Sequence, residues 1–199
     1  MELLIVTGMS GAGKSRAVNA LEDIGFFCID NIPAGLLPSI MAFSKAGDNQ
    51  LKRVALSMDV RGCRSKEEIE QGLEQLDQQG ISYEILFLDA SDDVLVKRYK
   101  ETRRSHPLAG SERVDKGIAK ERERLAFLKE RASYIIDTSQ LLTRELKAEL
   151  DKIFVQDQKF KNLMITVLSF GFKYGIPADS DLVFDVRFLP NPYYVEGMR

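Results

Sequence analysis

Leu3-Leu4-Ile5-Val6-Thr7-Gly8-Met9-Ser10-Gly11-Ala12-Gly13-Lys14-Ser15 decides how the rest of the chain is read. Leu3 to Thr7 is a short apolar run with the character of a buried strand. Gly8 to Ser15 then follows the pattern Gly, four variable residues, Gly-Lys-Ser. Glycines at these positions permit positive φ and close backbone approach, so successive N–H groups can ring a phosphate. A helix opening near Gly13 would add the positive end of its dipole. Lys14 places an ammonium among the β- and γ-phosphates, and the Ser15 hydroxyl is the expected Mg²⁺ ligand. Gly8, Met9, Ser10, Gly11, Ala12, Gly13, Lys14 and Ser15 are therefore expected to bind a nucleoside triphosphate. A Gly-rich turn with an incidental Lys-Ser is the competing reading. It does not account for the strand before the loop and the helix after it.

Working outward, apolar runs alternate with amphipathic stretches. Strands are expected at Leu3–Thr7, Phe26–Ile29, Val54–Met58, Tyr83–Leu88 and Tyr134–Ile136. Helices are expected at Gly13–Ile24, Leu36–Phe43, from Ser65 onward, Asp92–Arg103, along Val114 to Leu128, and Thr143–Phe154. Ser65 and Glu68 have capping-box spacing. Nearly continuous apolar strands separated by helices imply a parallel sheet covered on both faces, a three-layer α/β domain of kinase-like type. Ligands of such sheets sit beyond the carboxyl ends of the strands. Asp30, Asp59, Asp89 and Asp137 all fall at such ends.

Asp89 follows Leu86-Phe87-Leu88, and Asp59 precedes Val60-Arg61-Gly62; with Ser15, either carboxylate could hold Mg²⁺ directly or through water. Asp30 lies where small-molecule kinases of this type place a carboxylate that accepts a substrate proton. Strand-end aspartates are also common turn formers and helix caps, which is the reading favoured for Asp137-Thr138-Ser139. Arg103 and Arg104 interrupt the regular pattern before Ser105-His106-Pro107-Leu108 and could close on a triphosphate as a lid. His106 is the single histidine and, without paired ligands, reads as a satisfied loop residue and not a zinc ligand. Lys97-Arg98 and the run Lys120 to Arg124 read as solvated helix faces.

The polar stretch Gln156 to Lys161 divides the chain into a nucleotide-binding domain, 1–155, and a linker with an incomplete C-terminal domain, 156–199, the start of a second α/β domain. Two more strands are expected there, Leu163–Phe170 and Leu182–Phe188. The chain has 199 residues and a formal charge of −2. That balance excludes a wholly basic coat for nucleic acid or membrane. Two cysteines, Cys28 and Cys63, without Cys-x-x-Cys spacing fit free thiols in a cytoplasmic protein. No stretch approaches the ~20 apolar residues of a membrane helix.

Together Gly8 to Ser15, Leu21-Glu22-Asp23-Ile24-Gly25-Phe26-Phe27-Cys28-Ile29-Asp30-Asn31-Ile32-Pro33, Asp59-Val60-Arg61-Gly62, Glu101-Thr102-Arg103-Arg104-Ser105-His106-Pro107-Leu108, and the tail motifs Ser169 to Pro177 and Phe184 to Tyr194 resemble the RapZ/YvcJ family of bacterial nucleotide-binding proteins. The resemblance implies binding and hydrolysis of ATP and GTP. It assigns Gly8 to Ser15 to ATP and Asp59, Val60, Arg61 and Gly62 to GTP. It also implies an RNA or protein partner through the C-terminal domain and a homo-oligomer in the full-length family. Three functions compete: a regulatory nucleotide hydrolase with Lys14, Arg103 and Arg104 at work, a small-molecule kinase with Asp30 as base, and an RNA-binding adaptor.

Overall fold

Apolar pentads that bury both faces make the centre of the sheet. In the computed structural model, which describes residues 2–40, 51–59, 65–110, 112–155, 169–171, 173, 175–176, 180 and 182–188, β1 (Glu2–Gly8), β2 (Phe27–Ile29), β3 (Arg53–Ser57), β4 (Glu84–Asp89) and β5 (Tyr134–Asp137) form one sheet. Its order is β2-β3-β1-β4-β5, and every pairing is parallel. Leu3 to Val6 of β1 and Ile85 to Leu88 of β4 are buried throughout, as expected of strands with helices over both faces.

The connections are α1 (Lys14–Asp23), a 3₁₀ turn at Ala34–Leu36 leading into helical residues 37–40, α2 (Lys66–Gln78), α3 (Asp92–Thr102), α4 (Val114–Glu130) and α5 (Thr143–Phe154). Each flanking helix offers one apolar stripe. α1 packs on α5 and α3 packs on α4, so the sheet lies between helices. Ser65 caps α2 by accepting from the Glu68 N–H at 3.3 Å, the contact its spacing foretold. The expected helix Leu36–Phe43 is seen only to residue 40, since 41–50 lie outside the described residues.

The chain falls into two units, Met1–Asn162 and Leu163–Arg199. In the second, the expected strand Leu163–Phe170 lies almost wholly outside the described residues. Residues 182–188 form no ladder among the described residues and end in a turn. Leu182, Phe184 and Phe188 are exposed there. Alternating apolar residues give a strand only where a neighbour supplies the hydrogen bonds.

β1 ends on the feature that turns the sheet into a site. Gly8 has φ 132° and lies against β4, where the Met9 N–H donates to Leu88 O at 2.9 Å. A Cβ on Gly8 would stand 2.0 Å from Leu88 O. Gly8→Ala must therefore shift β1 away from β4 as well as adopt a strained φ. The expected cost is about 3 kcal/mol or more, a fall in Tm of roughly 10 °C. Thermal unfolding by circular dichroism checks this; an unchanged Tm would show that the loop entry is looser than described.

Candidate functional site

The loop between β1 and α1 engages the N–H groups of Met9, Ser10 and Ala12 within the protein and leaves those of Gly11 and Gly13 for a ligand, while the carbonyls of Gly8, Met9, Gly11 and Ala12 are held. Gly11 and Gly13 have φ 91° and 101°, angles that orient successive amides toward one point. Among the described residues, neither the Gly11 nor the Gly13 N–H has a protein acceptor. The carbonyls face other partners. Arg98 Nη1 donates to Gly11 O at 3.0 Å, and the Thr138 hydroxyl donates to Ala12 O at 2.9 Å. Arg98 also donates to Thr138 O at 2.6 Å. One α3 arginine and one threonine after β5 thus brace the loop from behind.

Lys14 is buried at the head of α1. Its Nζ donates to Gly8 O at 2.9 Å and Met9 O at 3.3 Å, and lies 3.7 Å from Asp59 Oδ2. Asp59 follows β3, the strand beside β1, so sheet order alone brings it to the loop. The Ser15 side chain is exposed on the first turn of α1. The Ser57 hydroxyl, two residues before Asp59, is buried without a hydrogen-bond partner among the described residues. Hydroxyl and carboxylate oxygens suit Mg²⁺, which keeps several waters and needs only one or two protein ligands. The donor set fits such an ion, although no cluster of three or more carboxylate, His or Cys ligands occurs among the described residues.

Asp89, the other expected metal ligand, has different partners. Lys129 Nζ donates to its Oδ2 at 2.6 Å, and Arg122 Nη1 reaches its Oδ1 at 3.0 Å. The Ala90 N–H donates to Oδ1 as well. Burial works to raise this carboxyl, but the hydrogen bonds from Lys129 and Arg122 outweigh it and hold the group below the ordinary carboxylate range. Asp89 therefore ties α4 to the end of β4. A cavity of about 330 Å³ lies beside it, lined by Met9, Phe87, Arg122, Ala126, Lys129 and Glu130. Both of its cations are engaged by Asp89, so it does not offer a second phosphate cradle.

Two sets of residues differ from the sequence reading. Arg98 and the run Lys120 to Arg124 were expected on solvated faces. Arg98 instead braces the loop, Arg122 pairs with Asp89 and Asp92, and Glu121 is fully buried. The missed signal is legible. Ile118, Leu125 and Leu128 form an apolar stripe at helical spacing, and Glu121 falls on that same stripe. Gly117, in a helix interior, marks a close approach: a Cβ there would lie 2.5 Å from His106 Nδ1. His106 is a satisfied loop histidine, as expected, with Glu121 as its partner at 3.0 Å, and it is buried as well. Asp137 forms the expected turn, accepting from the Ser139 N–H.

Arg103 and Arg104 are exposed, with Arg103 in a left-handed conformation at the end of α3. Asp30 is exposed beyond β2, its Oδ1 accepting from the Asn31 N–H at 2.8 Å. Val60, Arg61 and Gly62 lie outside the described residues, so of that tetrad only Asp59 is placed.

The Asp89 pairing has a pH signature. Its folded pKa is below the unfolded one, so its stabilisation is complete above the unfolded value, about 4, and is lost as pH falls through the folded value. Asp89→Asn is expected to cost about 2 kcal/mol at pH 7, because Arg122 and Lys129 lose their shared partner. Denaturant unfolding from pH 7 to pH 3 should show the gap between the variant and the parent chain closing with acid. A gap independent of pH would contradict this pairing.

Residues 1–158 match the RapZ-like N-terminal domain and 163–199 the RapZ C-terminal domain. A nucleotide-binding protein of Agathobacter rectalis is 64% identical over 199 residues, covering 100% of this chain and 68% of the relative. One from Lachnoclostridium phytofermentans is 58% identical over 202 residues, covering 100% of this chain and 70% of the relative. Among solved structures, shikimate kinase from Acinetobacter baumannii in complex with shikimate aligns with a TM-score of 0.55 at 17% identity, over 79% of this chain and 95% of that one. Shikimate kinase from Bacteroides thetaiotaomicron gives 0.52 at 15% identity, over 77% and 98%. These likenesses show the fold, a P-loop kinase-like α/β sheet. No helix among the described residues is long and apolar enough to cross a membrane. With its glycine-lined loop and its matches to both domains, the chain belongs to the RapZ-like family of nucleotide-binding proteins.

Proposed function

We propose that this protein binds ATP or GTP with Mg²⁺ at the Gly8–Ser15 loop, hydrolyses the γ-phosphate, and uses the nucleotide state as a regulatory signal. The observation that carries the reading is the resting position of Lys14. Its ammonium sits on the carbonyls of Gly8 and Met9 and beside Asp59, at the mouth of a loop whose Gly11 and Gly13 amides have no protein acceptor among the described residues. An incoming triphosphate supplies oxygens for those amides and for Lys14. Ser15 and Asp59 would hold Mg²⁺, which neutralises charge on the β- and γ-phosphates. Hydrolysis forms a bond from a water oxygen to the γ-phosphorus and breaks the bond to the β–γ bridging oxygen. The nucleoside diphosphate leaves with that electron pair, and the water proton passes to solvent. Arg103 and Arg104, exposed on the loop after α3, would counter the charge that builds on the transferred group.

The resemblance to the RapZ/YvcJ family implies GTP at Asp59 to Gly62. Asp59 adjoins the same loop as Lys14, which favours one shared phosphate site for the two nucleotides over two separate ones. The kinase-like fold supports a second reading, in which Asp30, exposed at the carboxyl edge of the same sheet, takes a proton from an acceptor hydroxyl.

One assay separates the two readings. With γ-labelled ATP or GTP and Mg²⁺, label should appear in inorganic phosphate, and Lys14→Ala should lower the rate by about 100-fold or more. The variant should keep its thermal melt, because Lys14 contacts loop carbonyls and not the apolar core. Absence of nucleotide binding by calorimetry would remove both readings. Label in a small-molecule acceptor that is lost in Asp30→Ala would replace the first reading by the second.

A further inference from the structure

Glu121 is a carboxylate with no exposure, yet it pairs with no Lys or Arg among the described residues. A buried acid is retained only where hydrogen bonds compensate its desolvation. Three do so here. Oε2 accepts from the backbone N–H of Ser10 at 3.1 Å, and Oε1 accepts from the Ser10 hydroxyl at 2.7 Å. His106 Nε2 lies 3.0 Å from Oε2. The tautomer follows from the other ring nitrogen: His106 Nδ1 accepts from the Leu108 N–H at 3.1 Å, so the proton is on Nε2 and is donated to Glu121. His106 is itself buried and packs on the Tyr99 ring, with centroids 5.0 Å apart.

The result is one unbroken set of bonds from the phosphate loop to the loop that carries the arginines. It runs from the Ser10 amide through the Glu121 carboxylate and the His106 ring to the Leu108 amide, four residues past Arg104. Glu121 also removes the Ser10 N–H from the set that can face a phosphate, and so fixes which way the loop turns. Gly117 is the space the relay needs, since any side chain there meets His106.

We propose that Glu121 and His106 are positioning residues that couple the conformation of the phosphate loop to that of the 103–108 arginine loop. Neither touches the nucleotide. The catalytic side of the proposal rests on the hydrolysis reading above; the mechanical side does not.

The test therefore has two arms. In the first, amide hydrogen exchange is measured on the full chain without ligand. Among the described residues no hydrogen bond joins Leu108 to Glu121 or Ser10 to His106. Glu121→Ala should nevertheless raise exchange at Leu108 by about tenfold or more, and His106→Ala should do the same at Ser10, while amides of α1 stay protected. Glu121→Gln should restore most of the protection. Its carbonyl can accept from the Ser10 N–H and from His106, and its amide can donate to the Ser10 hydroxyl. If Glu121→Ala does not fold, His106→Ala decides the matter: a fold-retaining His106→Ala with unchanged Ser10 exchange overturns the relay.

In the second arm, nucleotide hydrolysis is measured in a double-mutant cycle. Arg104→Ala alone and His106→Ala alone should each lower kcat by about tenfold with KM changed less than threefold. The double variant should be no slower than the worse single one, because an arginine loop already released gains nothing from Arg104. Multiplying effects would mean that His106 is structural only and would overturn the coupling. If the parent chain hydrolyses no nucleotide, the functional reading fails, and the exchange arm still decides the relay.

Discussion

A loop that turns its N–H groups toward an anion must turn its carbonyls elsewhere, and this constraint organises the molecule. Lys14 takes Gly8 O and Met9 O, Arg98 takes Gly11 O, and Thr138 takes Ala12 O. Those three side chains come from α1, α3 and the turn after β5. The phosphate loop is thus held by elements spread over more than a hundred residues of chain, and its shape exists only when the sheet does. Preorganisation of this kind is what lets backbone dipoles act on charge without reorganising when the ligand arrives.

Much of this architecture is written locally. The five strands, the cap at Ser65 and the β1–loop–α1 unit follow from apolar runs, Gly placement and helix spacing, which require no knowledge of distant partners. The sheet order required the fold itself, and with it the roles of the strand-end aspartates. Asp59 and Asp89 look alike in sequence, each closing an apolar strand. Position separates them: Asp59 emerges beside Lys14, whereas Asp89 meets Arg122 and Lys129 from α4. The cations that distinguish them lie 33 and 40 residues downstream of Asp89, beyond the reach of any local pattern.

Glu121 was hidden for a different reason. A run of alternating Lys, Glu and Arg is most often a solvated face, and residues 120–124 mix one buried acid with exposed and half-buried neighbours. The apolar stripe Ile118, Leu125 and Leu128 passes through Glu121, and Gly117 sits beside it. Reading a charged residue by the stripe it occupies, and not by the charges next to it, would have placed Glu121 inside. Buried among apolar side chains, it converts Ser10 from a generic loop residue into an anchor.

The Gly11 and Gly13 amides are open to a phosphate, and the Ser10 amide is withheld by Glu121. Backbone amide shifts of Gly11, Gly13, Lys14 and Ser10, followed by NMR during titration with a non-hydrolysable triphosphate and Mg²⁺, read this directly. Gly11, Gly13 and Lys14 should shift strongly as they bond phosphate oxygens, while Ser10 stays near its resting position on Glu121. A Ser10 amide that moves with the largest shift, or loop glycines that do not move at saturating ligand, would contradict the arrangement described.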